Sequence, residues 1–136
     1  MTLRVDANQG YTIAELLRFQ LQTQHLAIEL IEQPLPVGKE QELRQLDAAI
    51  RAKLTGDESL KTAAYALAYS VEPKPFGIFN IKLMKCGGIV GAKEIANIAQ
   101  QAAIDLFWGC NDESIISITA ALHAAFSCHN TKYIDL

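Results

Sequence analysis

The feature that most limits the fold of this chain is a repeat of about 25 residues. Six short apolar runs recur at this interval along the sequence. The runs end near Asp6, Glu32, Asp57, Lys82, Gly109 and Asp135. Because a strand, a helix and two short loops together need about 25 residues, the repeat predicts βα units that form a parallel sheet covered by helices.

The segments between the runs have helical length and amphipathic spacing. We expect helices over residues 12–24, 39–54, 60–69, 91–102 and 113–126. The first segment opens with Thr12 and Glu15 in a capping-box pattern. Its inward side chains are predicted to be Ile13, Leu16, Leu17 and either Phe19 or Leu21. No Pro/Ser-rich linker interrupts the series, so one continuous α/β domain over residues 1–136 is expected.

The composition excludes several classes of function. A hydrophobic content of 50% with 20% charged residues is typical of a globular domain. The net charge of -3 comes without a basic stripe, which argues against nucleic acid as a partner. No apolar stretch of about 18 residues and no signal sequence occurs, so neither a membrane partner nor secretion is expected. Scattered Cys86, Cys110 and Cys128 indicate a reduced, cytoplasmic setting.

Acidic residues end the first three apolar runs. In a parallel α/β barrel, the side chains that do chemistry lie at the carboxyl ends of the strands. Asp6, Glu32 and Asp57 would meet there, and three like charges cannot share a low-dielectric site unless a cation neutralises them. Oxygen ligands on a rigid frame suit Mg²⁺, or Mn²⁺ as a substitute. The alternative is that these acids are N-caps or solvated loop residues.

Lys82 ends the fourth run and is the candidate base. Burial in a barrel mouth and the like charge of a nearby divalent cation would both lower its pKa toward the working range. A metal that also binds a substrate carboxylate would stabilise the enediolate formed when the α-proton leaves. The predicted reaction is therefore proton abstraction next to a carboxylate. Lys85, three residues further along in the loop, is the weaker candidate.

Several ordered motifs resemble one known family. The segments are VDANQGYT, IELIEQPLP, GDESL, NIKLMKCGGIVGA and GCNDESIISITAALHAAF. Together they resemble the muconate-lactonizing and mandelate racemase branch of the enolase superfamily, and the likeness is greatest to the dipeptide epimerases, such as the L-Ala-D/L-Glu epimerases. The resemblance covers essentially the whole chain. It implies an isomerase that acts on a dipeptide or a related carboxylate.

The resemblance also implies roles for individual residues. Asp6, Glu32 and Asp57 would be the Mg²⁺ ligands, and Lys82 would be one of two catalytic lysines. Two lysines on opposite faces of the substrate would remove and return the α-proton.

Four further residues acquire supporting roles from the resemblance. Asn8 and Glu58 would support the site from nearby, and Glu113 matches the acid that follows the family's seventh strand. Asp135 resembles the first Asp of the Asp-x-Asp pair that holds the dipeptide's ammonium. Glu113 and Asp135 are therefore the expected substrate-binding residues.

The sequence also departs from the family pattern. Family members carry an N-terminal capping domain and a Lys-x-Lys motif on the second barrel strand. This chain starts on what resembles the third strand and ends at Leu136, before the second Asp of the ammonium-binding pair. Six strands stand where a closed barrel has eight, so a partial TIM-type (β/α) barrel is predicted. Two-base epimerisation is expected to fail unless another chain supplies the missing pieces.

Two alternative functions remain open. The chain could be a catalytically inactive barrel fragment that forms a homo-oligomer through its exposed edge strands, since unpaired edges are a template for association. It could also have another muconate-lactonizing-type activity: N-acylamino-acid racemase, o-succinylbenzoate synthase or cycloisomerase. Asp135 favours a substrate with a free ammonium.

Overall fold

The computed structural model describes all 136 residues, Met1–Leu136, as six strands with seven helices between them. The strands are β1 (Leu3–Asp6), β2 (Ile28–Glu32), β3 (Leu54–Gly56), β4 (Ile78–Ile81), β5 (Asp105–Trp108) and β6 (Thr131–Ile134). The helices are α1 (Ile13–Gln22), α2 (Glu40–Leu43), α3 (Ala48–Arg51), α4 (Ala63–Ser70), α5 (Leu83–Cys86), α6 (Gly88–Gln101) and α7 (Ile115–Phe126). None of these helices is both long enough and apolar enough to cross a membrane.

The six strands form one parallel sheet in chain order. Each strand pairs with the next, and every crossover carries at least one helix. The guanidinium of Arg4 on β1 lies 4.8 Å from the centre of the Tyr133 ring on β6. Side chains of the first and last strands therefore meet, which shows that the sheet is curled. The predicted βα repeat and partial barrel are confirmed.

The two faces of the sheet carry different cores. A cluster of 24 buried residues fills the space between the sheet and the helices. A second cluster covers the other face, which we call the inner face, and consists of Leu30, Ile78, Phe107 and Tyr133. Alternate residues of a strand point to the same side. The inner face therefore continues, two residues further along, to Glu32, Asn80, Gly109 and Asp135.

The first helix begins where it was predicted to begin, but not all of the side chains predicted to point inward do so. The Thr12 side chain accepts from the N–H of Glu15, and the Thr12 N–H donates to Glu15 Oε2 at 2.8 Å. Leu16 is fully buried. The prediction that Leu17 points inward was wrong, since it is 43% exposed. Of the two alternatives, Phe19 packs against the core, whereas Leu21 is 67% exposed. No other helix packs extensively against α1, so only the strip that faces the sheet is covered.

The prediction of a single helix over residues 39–54 was also wrong. The segment forms two short helices, α2 and α3, and Leu54 already belongs to β3. Asp47 separates the helices with an extended backbone, φ -56° and ψ 143°. A residue in that conformation cannot continue the i to i−4 hydrogen bonding of an α-helix.

Candidate active site

Most of the predicted site residues gather at the carboxyl edge of the sheet. Asp6 and Glu32 are the last residues of β1 and β2 and are register partners. Asp57 directly follows β3, and Lys82 directly follows β4. A cavity of about 230 Å³ opens on the inner face at this edge. Its lining includes Asp6, Glu32, Asn80, Lys82 and Asp135.

Glu32 is a buried carboxyl with one strong hydrogen bond. Asn80 Nδ2 donates to Glu32 Oε1 at 2.5 Å. Burial raises the pKa of Glu32 to about 7; the hydrogen bond from Asn80 opposes the rise, and the charges of Asp57 and Asp6 add to it. Burial is therefore the main cause of the raised pKa of Glu32, and the neighbouring carboxylates strengthen it. The sequence argument missed Asn80, although it precedes Lys82 by two residues and so shares its face.

Asp57 is held by two lysines. Lys82 Nζ lies 2.6 Å from Asp57 Oδ2. Lys85 Nζ contacts the other carboxylate oxygen and also donates to the Asp57 carbonyl at 2.7 Å. Both lysine side chains are only 14% exposed. Lys85 was expected in a loop, but it lies on α5 and takes part in the site.

The two lysines differ in the direction of their pKa shifts. Burial lowers the pKa of Lys82, but the hydrogen bond and charge of Asp57 outweigh it and raise the pKa above its usual value. In Lys85, burial outweighs the attraction of Asp57, and the pKa falls. Burial would raise the pKa of Asp57, yet the two ammonium groups, Lys85 foremost, hold it below its usual value. The lowered pKa expected for Lys82 presupposed a divalent cation beside it and stays a prediction for the cation-bound site.

The donor chemistry at this edge fits Mg²⁺. Asp6, Glu32 and Asp57 supply oxygen ligands, which suit a hard cation. The two ammonium groups beside Asp57 show that this position attracts positive charge. As the side chains stand, no three His, Cys, Asp or Glu residues form a group that could hold a metal ion. Binding by all three acids therefore requires their side chains to come closer together than they stand.

Asn8 contacts Asp6 as a supporting residue would. Its backbone N–H donates to Asp6 Oδ1 at 2.9 Å, and its side-chain amide donates to Oδ2 at 3.4 Å. The backbone of Asn8 is left-handed, with φ 48°. This turn brings the Asn8 amide back onto the carboxylate at the end of β1, so both oxygens of Asp6 are oriented.

The three remaining predicted residues have different surroundings. Asp135 lines the cavity, and its backbone N–H donates to the Trp108 carbonyl at 2.9 Å. Glu58 Oε2 is buried without a hydrogen-bond partner. Glu113 does not line the cavity; it accepts a hydrogen bond from the Ser117 hydroxyl, and its Oε1 is buried without a partner. The structure thus places Asp135 in the lining of the cavity and Glu113 outside that lining.

A curled parallel sheet with acids and lysines at its carboxyl edge defines this chain as part of an α/β barrel domain. The Enolase C-terminal domain-like family matches residues 1–136. The chain belongs to this family.

Several of the proteins that are similar to this chain are dipeptide epimerases. The L-Lys-D/L-Arg epimerase of Methylococcus capsulatus is 55% identical over 134 residues, which are 98% of this chain and 38% of that protein. The L-Ala-D/L-Glu epimerase of Bacillus subtilis is 34% identical over 135 residues, 98% of this chain and 37% of that protein. The resemblance to dipeptide epimerases is confirmed. The chain spans well under half the length of either relative.

Solved structures agree with the sequence comparison. The dipeptide epimerase from Methylococcus capsulatus, complexed with Mg and the dipeptide L-Arg-D-Lys, superposes with a TM-score of 0.96 at 54% identity. The match covers 98% of this chain and 38% of that one. The substrate-liganded L-Ala-D/L-Glu epimerase from Bacillus subtilis gives a TM-score of 0.89 at 32% identity, over 99% of this chain and 38% of that one.

Proposed function

We propose that this chain provides the cation-binding acids and one proton-transfer lysine of a Mg²⁺-dependent dipeptide epimerase. The observation that carries the proposal is the shared cavity of Asp6, Glu32 and Lys82, with Asp57 paired to the same lysine. Asp6, Glu32 and Asp57 would hold Mg²⁺, for which Mn²⁺ could substitute. The cation would stabilise negative charge that develops beside the substrate carboxylate.

Lys82 moves the proton in this proposal. Paired with Asp57, it is protonated, and the ion pair raises its pKa. Burial acts to lower the pKa of Lys82 and is opposed mainly by Asp57, so engagement of the Asp57 carboxylate elsewhere would let the pKa of Lys82 fall. The neutral amine can then accept the α-proton on one face of the substrate. Inversion needs a second base on the opposite face, so Lys82 alone supports exchange of the α-proton.

The proposed substrate is a dipeptide with a free ammonium. The Asp135 carboxylate lines the cavity and can pair with that ammonium. The relative with 55% identity is an L-Lys-D/L-Arg epimerase, which supports dipeptides of Lys and Arg as the first substrates to test. N-acylamino-acid racemase, o-succinylbenzoate synthase and cycloisomerase activities would leave Asp135 without an ammonium partner.

Proton exchange in D₂O tests the proposal. The chain is incubated with Mg²⁺ and either L-Lys-L-Arg or L-Ala-L-Glu, and α-deuterium is followed by NMR and mass spectrometry. Deuterium incorporation without inversion is expected. Lys82→Met should slow exchange by at least about 100-fold, because it removes the proton acceptor. Lys53→Met, an exposed lysine at the other end of the sheet, is the matched control and should exchange normally.

Two results would contradict this function. Absence of exchange with every dipeptide would exclude Lys82 as a working base. Inversion as fast as exchange would show that the chain already contains both bases.

The sheet edges support a second candidate function. Strands β1 and β6 each pair on one side only. On α7, Ile116 and Phe126 are 79% and 78% exposed. Unpaired edges and exposed apolar side chains favour self-association of an inactive barrel fragment. This function predicts a homo-oligomer that does not exchange the α-proton.

We also propose a cytoplasmic location. Cys86, Cys110 and Cys128 form no disulfide. Free thiols persist in reducing compartments, so their unpaired state supports this location.

A further inference from the structure

Gln33 directly follows Glu32 and has every hydrogen-bonding position of its side chain occupied. Its Oε1 accepts from the backbone N–H groups of Asp57 at 2.9 Å and Ser59 at 3.2 Å. Its Nε2 donates to the Leu35 carbonyl at 2.9 Å and to Ser59 Oγ at 2.8 Å. A primary amide offers two donors and two acceptor sites, and all four are used. The side chain is 1% exposed, so no water competes for these bonds.

The backbone of Gln33 joins two further segments. Its N–H donates to the Thr55 carbonyl at 2.9 Å, and its carbonyl accepts from the Gln9 N–H at 2.7 Å. The backbone is left-handed, with φ 34°, which directs the side chain toward the loop after β3. Gln33 thereby connects the loops that follow β1, β2 and β3. These are the three strands whose ends carry the proposed cation ligands.

Glu40 fixes the orientation of the Ser59 hydroxyl. Ser59 Oγ donates to Glu40 Oε1 at 2.6 Å, and the Gly38 N–H donates to both carboxylate oxygens at 2.9 and 3.1 Å. Burial raises the pKa of Glu40, but the hydrogen bonds from Ser59 and Gly38 outweigh it, so the pKa lies below its usual value. A charged acceptor makes the bond from Ser59 strong. The hydroxyl proton is therefore committed to Glu40, and a lone pair of Ser59 Oγ remains for Gln33.

A role in stability alone does not explain where these bonds fall. Replacing both partners of a buried hydrogen bond by apolar groups of the same shape can be nearly neutral for stability. Two of the four bonds made by the Gln33 side chain hold the backbone at Asp57 and Ser59 rather than any part of the hydrophobic core. The network therefore ties the segment that carries Asp57 to Gln33, which is the residue next to Glu32.

We infer that Gln33 is a positioning residue that sets the placement of Asp57 relative to Glu32 for cation binding. The inference rests on the proposed function. Gln33 touches neither the cation nor the substrate; it acts through the backbone of Asp57. Groups that orient metal ligands in this way commonly change metal affinity about 10–100-fold when they are replaced.

The first test measures cation affinity in the full chain with Mn²⁺ as the probe. Gln33→Met keeps the length of the side chain and removes all four bonds. We expect its Mn²⁺ affinity, measured from the electron paramagnetic resonance signal of the free ion, to fall by about 10-fold or more. The spectrum of bound Mn²⁺ should change as well, which a loss of stability alone would not cause. Gln101→Met makes the same substitution at an exposed residue and should leave both readouts unchanged.

If Gln33→Met does not fold, variants at Ser59 test the same inference. Ser59→Ala removes one partner each from Gln33 and Glu40 and should weaken Mn²⁺ binding in the same direction. Ser59→Thr retains the hydroxyl and should restore the affinity. Equal affinity in Ser59→Ala and Ser59→Thr, with both folded, would overturn the inference.

The second test needs no metal. Hydrogen exchange of the Asp57 and Ser59 amides should be at least about 10-fold faster in Gln33→Met than in the parent chain, because their acceptor is gone. The amides of Ile95 and Leu106, in the core, should exchange at the parent rate.

The two tests separate the inference from the function on which it rests. A parent chain that binds no Mn²⁺ overturns the proposed function, and the amide exchange then decides alone whether Gln33 holds Asp57. A parent that binds Mn²⁺ with the same affinity as folded Gln33→Met overturns the inference and leaves the proposed function intact. Unchanged exchange at both amides also overturns the inference.

Discussion

Glu32 and Asp57 are two buried carboxyls with opposite pKa shifts. Their exposed fractions are nearly the same, 7% and 5%, so burial alone cannot explain the difference. Glu32 has an amide donor, Asn80, and other acids nearby, whereas Asp57 has two ammonium groups. Near neutral pH, Asp57 is therefore the anion of the pair, and Glu32 holds a proton for part of the time. Burial acts to raise the pKa of both carboxyls, and their different partners account for the opposite net shifts.

Glu40 gives a pH-dependent prediction at the residue scale. Its pKa in the folded chain lies below the ordinary value of 4.5, so the charged form stabilises the fold above that pH. This stabilisation is lost as the pH falls through the folded-state pKa. Glu40→Gln should lower the free energy of unfolding by about 2 kcal/mol at neutral pH, since it weakens hydrogen bonds to a charged group. Thermal melts near pH 7 and near pH 3 should show the deficit shrinking in acid.

The control for this prediction is Glu94→Gln, at an exposed residue of α6. It should change the melting temperature little at either pH. A deficit of the same size for Glu40→Gln at both pH values would show that the lost stability does not come from the charge.

At this scale, the sequence located the charged residues and, through the family resemblance, Asn8, but it missed the amides of Asn80 and Gln33. Glu32 and Lys82 were found because a charge at the end of an apolar run is conspicuous. Asn80 lies inside its run and carries no charge, so only its alternation with Lys82 could have indicated it. The role of Gln33 depends on a left-handed backbone and on a contact with another loop, and neither is encoded in local sequence spacing.

At the scale of elements, β4 depends on a close approach to α3. The Gly77 N–H donates to the carbonyls of Arg51 at 2.9 Å and Leu54 at 3.1 Å. A Cβ at Gly77 would lie 2.5 Å from the carbonyl oxygen of Ala52 and 2.6 Å from its Cα. These are backbone atoms, which cannot move away without breaking the turn. Glycine therefore allows the chain to enter β4 directly beside the end of α3.

Gly77→Ala should destabilise the chain by about 3 kcal/mol, because the added methyl group overpacks a rigid contact. Gly88→Ala is the matched comparison, since Gly88 has a left-handed backbone, φ 80°, and open space around the added Cβ. It should cost only about 1 kcal/mol. Urea denaturation of both variants measures the difference. A cost for Gly77→Ala no greater than that for Gly88→Ala would contradict the close approach.

Helices and strands were predicted correctly where the spacing of hydrophobic residues changed along the chain. They were predicted poorly where that spacing stayed the same. The step from helical to strand spacing located all six strands. Leu43, Leu46 and Ile50 keep a helical spacing across Asp47, so the pattern could not distinguish one helix from two short ones in phase. The interruption is a backbone conformation at one residue, and a pattern of side chains does not report it.

At the scale of the whole molecule, the curl of the sheet brings side chains of the two edge strands, β1 and β6, into contact. Arg4 on β1 lies over the ring of Tyr133 on β6 and also forms an ion pair with Glu29 at 2.8 Å. The ring of Phe107 meets that of Tyr133 edge to face, with centres 6.2 Å apart. These contacts fill the inner face, but they leave the outer N–H and C=O groups of both edge strands without partners in the sheet.

The open edges predict that the chain associates. Light scattering after size exclusion should give a mass of at least twice 14.9 kDa at high concentration, and the melting temperature should rise with concentration, because association stabilises the folded state. Raising the salt concentration to about 1 M should not dissociate the assembly, since backbone hydrogen bonds and apolar contacts are screened far less than surface charges. Phe126→Ser tests the alternative contact: if α7 forms the interface, this variant lowers the mass, whereas edge pairing leaves it unchanged. A single species of 14.9 kDa at every concentration would show that the curl alone protects both edges.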